Sequence, residues 1–169
     1  FDMFKIGIGP SSSHTMGPMV AATRFLGRLR RSAFQPHGVR ARLHGSLAFT
    51  GVGHATDRAV ILGLAGFELE SYDAEAAEAE LTRIRETRQV TPAGLPPLAF
   101  DPAVDVVFDY GAPLPGHANG MVLLATDAEG DVLVQETYYS VGGGFVLTEA
   151  ELAAGVATDE GPSVPYPFK

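Results

Sequence analysis

The chain of 169 residues is long enough to form one domain with its own hydrophobic core. Its formal net charge of -8 and its 12 lysines and arginines argue against nucleic acid as a main partner, because phosphate binding needs a clustered positive surface. The sequence contains no cysteine, which excludes disulfides, thiol catalysis and thiolate ligation of an iron–sulfur cluster by this chain. We expect a cytoplasmic protein, and we expect no membrane association because there is no signal-peptide pattern and no apolar run of ~20 residues.

The first half of the chain predicts a helix, a strand and two further helices. After an initial loop, apolar residues recur at helical spacing from Pro18 onward. From Val39 the alternation of apolar and polar residues predicts a half-buried strand. A second helix is expected over about residues 54–64 with Gly66 as its stop, and a third helix should begin at Asp73, whose side chain can cap it.

The second half of the chain is rich in predicted strands. They are expected near Val90 and over residues 98–100, 104–110, 121–126 and 132–139, with a hairpin turn at residues 127–131. The order of elements predicts an α+β fold, a single domain with a mixed or antiparallel sheet and helices packed on one face. We interpret residues 1–153 as this domain and residues 154–169 as a Gly/Pro-rich tail or the start of a linker.

The first candidate site is the segment GPSSSHT at residues 9–15, directly before the first predicted helix. Free backbone N–H groups and the helix dipole favour an anion there, and hydroxyls add donors for a small carboxylate or phosphate. The candidate binding residues are Ser11, Ser12, Ser13, His14 and Thr15. Alternatively, one hydroxyl caps the helix and the others are ordinary loop residues.

The second candidate site is the segment GSLAFTGVGHATD at residues 45–57. Its glycines let the backbone approach a ligand, and His54 at the start of a helix could act as an acid, a base or a ligand. Asp57 could orient the histidine ring, or it could simply favour the helix N-terminus. A helix cap with a structural histidine explains the segment equally well, so both interpretations stay open.

Two further segments are weaker candidates. His117 and Asn119 flank Ala118 and could point to one side of an extended loop, where they would suit the charged groups of an amino acid. The segment YYSVGGGF at residues 138–145 could bring bare backbone against a ligand or a neighbouring domain, or it could be a strand end with a bulge. We interpret His37 and His44 as structural.

Two other chemistries can be weighed against the sequence. A pyridoxal phosphate enzyme is disfavoured because neither lysine, Lys5 nor Lys169, lies in a candidate site. A stand-alone hydrolase stays conceivable because His14 and His54 could each activate a serine, although no Gly-x-Ser-x-Gly elbow is present.

Four motifs together resemble a known family. Residues 4–18 (FKIGIGPSSSHTMGP) resemble the opening of the β chain or β domain of iron–sulfur-dependent L-serine dehydratases. Residues 45–57, 117–121 (HANGM) and 138–145 follow in the same order as in that family. The resemblance spans nearly the whole chain, and four ordered motifs are more specific than any one of them.

The resemblance implies an L-serine ammonia-lyase that converts L-serine to pyruvate and ammonia. In that family a [4Fe-4S] cluster, held by cysteines of an α portion, acts as a Lewis acid on the serine hydroxyl while a base removes the α-proton. This chain would then supply no cluster ligand and no metal ligand, and it would be inactive without the α portion, either a domain or a separate chain. The resemblance also implies a homodimer in the full enzyme.

The resemblance also implies roles for individual residues. Ser11, Ser12, Ser13, Thr15 and Asp57 would bind the substrate, and His14 and His54 would be the acid/base or orienting groups in a cleft shared with the α portion.

The β domain is also similar to the allosteric substrate-binding domain of some phosphoglycerate dehydrogenases, which implies a second serine site at His117 and Asn119. Ala118 stands where a proline is expected in that domain. This difference bears most on the implied regulatory serine site. The competing interpretation is a non-catalytic, amino-acid-binding regulatory domain.

Overall fold

The computed structural model of the chain describes residues 16–45, 47, 55–68, 73–109, 119–142 and 145–157. Its helices are α1 (Met16–Arg30), α2 (Ala55–Leu64), α3 (Ala74–Thr87), α4 (Pro102–Asp105) and α5 (Glu149–Ala157). Its strands are β1 (Gly38–His44), β2 (Gln89–Val90), β3 (Leu98–Ala99), β4 (Val106–Asp109), β5 (Gly120–Thr126), β6 (Val132–Gly142) and β7 (Phe145–Thr148).

The described strands form one mixed sheet. The strand order is β2-β3-β1-β5-β6-β7, and β4 pairs with β1. Strand β1 is parallel to β3 and β4 and antiparallel to β5, while β5, β6 and β7 form antiparallel pairs in succession. The predicted α+β fold with a mixed sheet is therefore confirmed.

Helix α1 packs into the core as its periodicity predicts. Its apolar positions are at most 1% exposed: Met19, Ala22, Phe25, Leu26 and Leu29. Burial of each large side chain contributes on the order of 1.5–3 kcal/mol, which holds the helix against the sheet and against α2. Gly63 of α2 lies directly against Met19 and Ala22, so the two helices approach closely at this point.

Several predicted helix ends are confirmed. The side chain of Asp73 accepts a hydrogen bond from the backbone N–H of Glu75 at 3.2 Å and caps α3. Gly66 follows α2 with a φ of 103°, a conformation that glycine adopts without a steric penalty. The end of α3 at Thr87 was not predicted, and Arg88 directly after it adopts the left-handed conformation with a φ of 56°.

Two local predictions are wrong. Val104 lies in the short helix α4 and not in a strand, because Asp101 caps that helix by accepting the N–H of Ala103 at 3.0 Å and a proline follows directly. His44 was placed by alternation on the polar face of β1, yet it is only 5% exposed.

The C-terminal part of the chain contains a helix that the sequence did not indicate. Helix α5 extends to Ala157, so the first residues of the predicted tail are helical. The rest of that tail, residues 158–169, lies outside the described residues. In the part of the chain that the structure describes, every helix is too short or too polar to cross a lipid bilayer.

Candidate functional site

One end of the sheet connects to all four sequence motifs. The parallel strands β1 and β4 finish there with their last residues, His44 and Asp109, in register. Strand β5 starts at the same end, since Met121 pairs with Leu43, and Asn119 directly precedes this strand. We name this end, marked by His44, Asp109, Asn119 and Ser140, the motif end. Crevices beyond the carboxyl ends of parallel strands are common ligand sites in α/β sheets.

Helix α1 begins at the motif end. The backbone N–H of Ser140 donates to the carbonyl of Asn119 at 2.9 Å, which places Ser140 beside the start of β5. A Cβ atom on Gly17 would lie 1.9 Å from Ser140 Oγ, so the first turn of α1 is in contact with this residue. The Ser-rich segment that ends at Thr15 therefore joins the described structure at the motif end.

Helix α2 also begins toward the motif end. Gly66, just past the last turn of α2, lies against Pro92. Pro92 follows β2 at the end of the sheet opposite the motif end, beyond the level of Gly38 in β1. Asp57 in its first turn lines a pocket together with Phe108, the neighbour of Asp109. The N-termini of α1 and α2, which carry the positive ends of the helix dipoles, therefore face the same end of the sheet.

His44 is a buried histidine at the motif end. The Arg42 Nε–H donates to His44 Nε2 at 2.9 Å, so the neutral ring carries its proton on Nδ1. Nδ1 lies 3.7 Å from Asp109 Oδ2, which is too long for a hydrogen bond. Burial lowers the pKa of His44, and the positive charge of Arg42 lowers it further, while the charge of Asp109 raises it. His44 is therefore neutral near pH 7.

Two buried polar atoms at the motif end have no hydrogen-bond partner among the described residues. They are His44 Nδ1 and Ser140 Oγ. Each such atom costs roughly 1–3 kcal/mol if it stays unsatisfied, so both are available to a partner that reaches this end of the sheet. The sequence indicated a structural role for His44 and did not identify its place at the motif end. The signal that could have found it is its position at a strand end, immediately before the segment 45–57.

Tyr138 does not supply a base for the site. Its side chain is buried in β6 and lies beneath Arg24, whose guanidinium carbon is 5.8 Å from the ring centroid. Burial, with the nearby charge of Glu136, raises the pKa of Tyr138 to about 12. Its hydroxyl therefore stays protonated at neutral pH.

The described residues include only some of the predicted site. Asp57 lies in the first turn of α2, as expected, and its Oδ1 accepts the N–H of Arg58 at 2.8 Å. Asn119 lies at the motif end through its backbone contact with Ser140. The other predicted site residues lie outside the described residues, and their roles stay predictions: Ser11, Ser12, Ser13, His14, Thr15, His54 and His117.

Thiolate ligands for an iron–sulfur cluster are absent from this chain. The full sequence has no cysteine, and the described residues contain no group of three histidine, aspartate or glutamate side chains placed to hold a metal.

Comparison with known proteins agrees with the motifs. The family model "serine dehydratase beta chain" matches residues 1–151. The chain is 46% identical over 166 residues to an L-serine dehydratase of Helicobacter pylori, covering 98% of this chain and 36% of that protein. It is 44% identical over 171 residues to an L-serine dehydratase of Streptomyces coelicolor, covering 100% of this chain and 38% of that protein.

A third relative gives the same result. The chain is 42% identical over 171 residues to L-serine dehydratase TdcG of Escherichia coli, covering 99% of this chain and 37% of that protein. The chain thus spans little more than a third of the length of these relatives. Together with the matched residues of the family model, these identities establish that the chain belongs to the serine dehydratase beta chain family.

Proposed function

We propose that this chain is the β portion of an enzyme that converts L-serine to pyruvate and ammonia. It contributes substrate-binding and acid/base residues to a cleft shared with a cysteine-bearing α portion. The main support is that the described residues flanking all four motifs converge at the motif end, in a chain whose relatives are named L-serine dehydratases.

The substrate carboxylate is bound by Ser11, Ser12, Ser13 and Thr15 in this proposal. Two features of the described residues support such a site. Helices α1 and α2 both begin toward the motif end, where their N-terminal N–H groups and dipoles favour an anion. Asp57 carries its negative charge in the first turn of α2, where it can attract the substrate ammonium.

His14 and His54 are the proposed proton-transfer residues. Histidine works as an acid or a base near pH 7. A neutral imidazole can accept the α-proton of serine, and the protonated ring can later return a proton. His14 precedes α1 with one residue between them, and His54 directly precedes α2. Both helices begin toward the motif end.

The cofactor in this proposal is a [4Fe-4S] cluster that the α portion holds. When bound, such a cluster supplies a Lewis acid for the serine hydroxyl. The lack of cysteine in this chain supports this division between the two portions. We further propose that the assembled enzyme is a cytoplasmic homodimer.

The test is an assay of pyruvate release from L-serine after anaerobic iron–sulfur reconstitution. It compares this chain alone with the form joined to its α portion, and then the joined form with His14→Ala or His54→Ala. We expect activity only in the joined form, and a loss of about 10²–10⁴-fold in kcat for each variant. His37→Ala is the matched control, because His37 is exposed and adjoins β1 at its other end.

The competing functions predict different results. A non-catalytic regulatory domain predicts near-normal turnover in both histidine variants with an altered response to serine. A hydrolase predicts activity of this chain alone without iron. Either result, or an iron-loaded joined form without turnover, contradicts the proposal.

A further inference from the structure

A pocket of about 440 Å³ lies between α2, the end of α3, α4 and β4. Its size is within the range of small-molecule sites. The charged side chains that line it are two arginines and two aspartates: Asp57, Arg85, Arg88 and Asp101. None of the sequence motifs supplies Arg85, Arg88 or Asp101, whereas Asp57 also belongs to the residues proposed to bind the serine substrate.

Both arginines are available to a ligand. Arg85 is exposed and forms no ion pair with any described residue. Arg88 is 73% exposed, and its Nε lies 3.7 Å from Asp101 Oδ2, which is too long for a hydrogen bond. An exposed pair of this kind contributes little, so Arg88 can turn to a ligand at small cost. Two neighbouring guanidiniums suit the planar, bidentate geometry of a carboxylate.

Both aspartates are oriented by the backbone. Asp57 Oδ1 accepts the N–H of Arg58 at 2.8 Å, and Asp101 Oδ1 accepts the N–H of Ala103 at 3.0 Å. The pocket therefore combines two oriented carboxylates with two guanidiniums. Because these charges balance, a molecule with both a carboxylate and an ammonium group gains more from the pocket than a simple anion or cation does.

The remaining wall is apolar. It includes Ile61 from α2 and the strand residues Val106 and Phe108, of which Phe108 is only partly buried. An aliphatic side chain on the ligand would cover this surface and gain about 25 cal/mol for each Å² removed from water. A hydroxymethyl side chain such as that of serine would gain much less.

We propose that this pocket binds a free α-amino acid with an apolar side chain. The carboxylate is held by Arg85 and Arg88, the ammonium group by Asp57 and Asp101, and the side chain by the apolar wall. The pocket shares Asp57 with the residues proposed to bind the serine substrate, but Arg85, Arg88 and Asp101 lie outside every sequence motif, and the binding test below does not use turnover.

The experiment is equilibrium dialysis of radiolabelled L-leucine against the full-length protein that contains this chain. Isocaproate, which lacks the ammonium group, isoamylamine, which lacks the carboxylate, and L-serine are the unlabelled competitors. We expect L-leucine to bind and each competitor to bind about tenfold more weakly or worse. The variants Arg85→Gln and Arg88→Gln test whether L-leucine binds in this pocket or elsewhere. Each variant should weaken L-leucine binding about tenfold or more.

The matched control is Arg31→Gln, which removes the same charge from an exposed arginine outside the pocket and should leave L-leucine binding unchanged. The proposal is overturned by no binding at millimolar L-leucine, by binding that both pocket variants retain, or by isocaproate or L-serine binding as tightly as L-leucine. The readout is binding and not turnover. A protein without dehydratase activity can therefore still confirm the pocket, and an active enzyme can still refute it.

Discussion

Gly17 and Ser140 are in such close contact that no side chain can be added at Gly17 without movement. A Cβ atom there would lie 1.9 Å from Ser140 Oγ and 2.6 Å from Ser140 Cβ. Ser140 is itself buried and tied by its N–H to Asn119. The first turn of α1 is therefore held directly against the end of β6, which sets where the Ser-rich segment enters the motif end.

Gly17→Ala should destabilise the protein by about 1–3 kcal/mol, the usual cost of overpacking a buried contact. The measurement is the free energy of unfolding from urea denaturation. Gly27→Ala in the same helix is the matched control, because the nearest atom to its added Cβ is Arg31 Nη1 at 3.5 Å. Since alanine favours a helix interior over glycine, we expect this control to stabilise by roughly 0.5–1 kcal/mol.

A second change tests whether Ser140 is the cause. Adding Ser140→Gly to Gly17→Ala removes the side chain that the new methyl group meets and should recover part of the lost stability. Equal effects of Gly17→Ala and Gly27→Ala would contradict the contact at the start of α1.

His44 should make stability fall as the pH decreases. Burial lowers its pKa below the ordinary 6.5, so the unfolded chain binds this proton before the folded protein does. Stability from this group is fully present above the ordinary pKa. It is lost progressively as the pH falls below 6.5 toward the lower folded value. Protonation of Nε2 also breaks the hydrogen bond from Arg42, which gives the effect a structural cause.

The measurement is the free energy of unfolding between about pH 7.5 and pH 5.5, in the parent and in His44→Gln. The variant should lose less stability over this range than the parent. Asp109→Asn tests the neighbouring charge, which raises the pKa of His44. Removing the charge of Asp109 should lower the pKa of His44 further. The loss of stability should then extend to lower pH. Parallel curves for the parent and His44→Gln would show that His44 does not contribute.

Local patterns in the sequence predicted most of the helices correctly. The spacing from Met19 to Leu29 marks the buried face of α1. Asp73 marks the start of α3 through a local hydrogen bond, and Gly66 marks the end of α2 through its own φ angle. The prediction of a strand at Val104 was wrong. The β-branched residues in this region favour a strand, but the cap at Asp101 stabilises a helix instead.

The candidate site was less predictable because it depends on pairing between distant segments. Alternation in β1 assigned His44 to one face of the strand but could not show whether that face is covered. The register of His44 with Asp109, and the contact of Gly17 with Ser140, join residues far apart in sequence. Single motifs therefore identified candidate residues, while the convergence of the described residues that flank these motifs needed the sheet topology. Arg85 and Arg88, the two arginines of the pocket beside α4, belong to no sequence motif.

Arg88 provides a prediction in which stability and binding change in opposite directions. Its φ of 56° is unfavourable for a residue with a side chain, and its N–H donates to Ile84 O at 2.7 Å. Arg88→Gly keeps this hydrogen bond and relieves the strain, so we expect a gain of roughly 0.5–1 kcal/mol in the free energy of unfolding. The same change removes a guanidinium from the pocket and should weaken L-leucine binding about tenfold or more.

Arg88→Ala separates the two causes, because alanine removes the guanidinium but keeps the strain of the left-handed backbone. It should weaken L-leucine binding as much as Arg88→Gly does, without the gain in stability. The measurements are urea denaturation and equilibrium dialysis on the same protein samples. A similar gain in stability for both variants would show that backbone strain is not its source. Unchanged L-leucine binding in both would remove Arg88 from the amino-acid site.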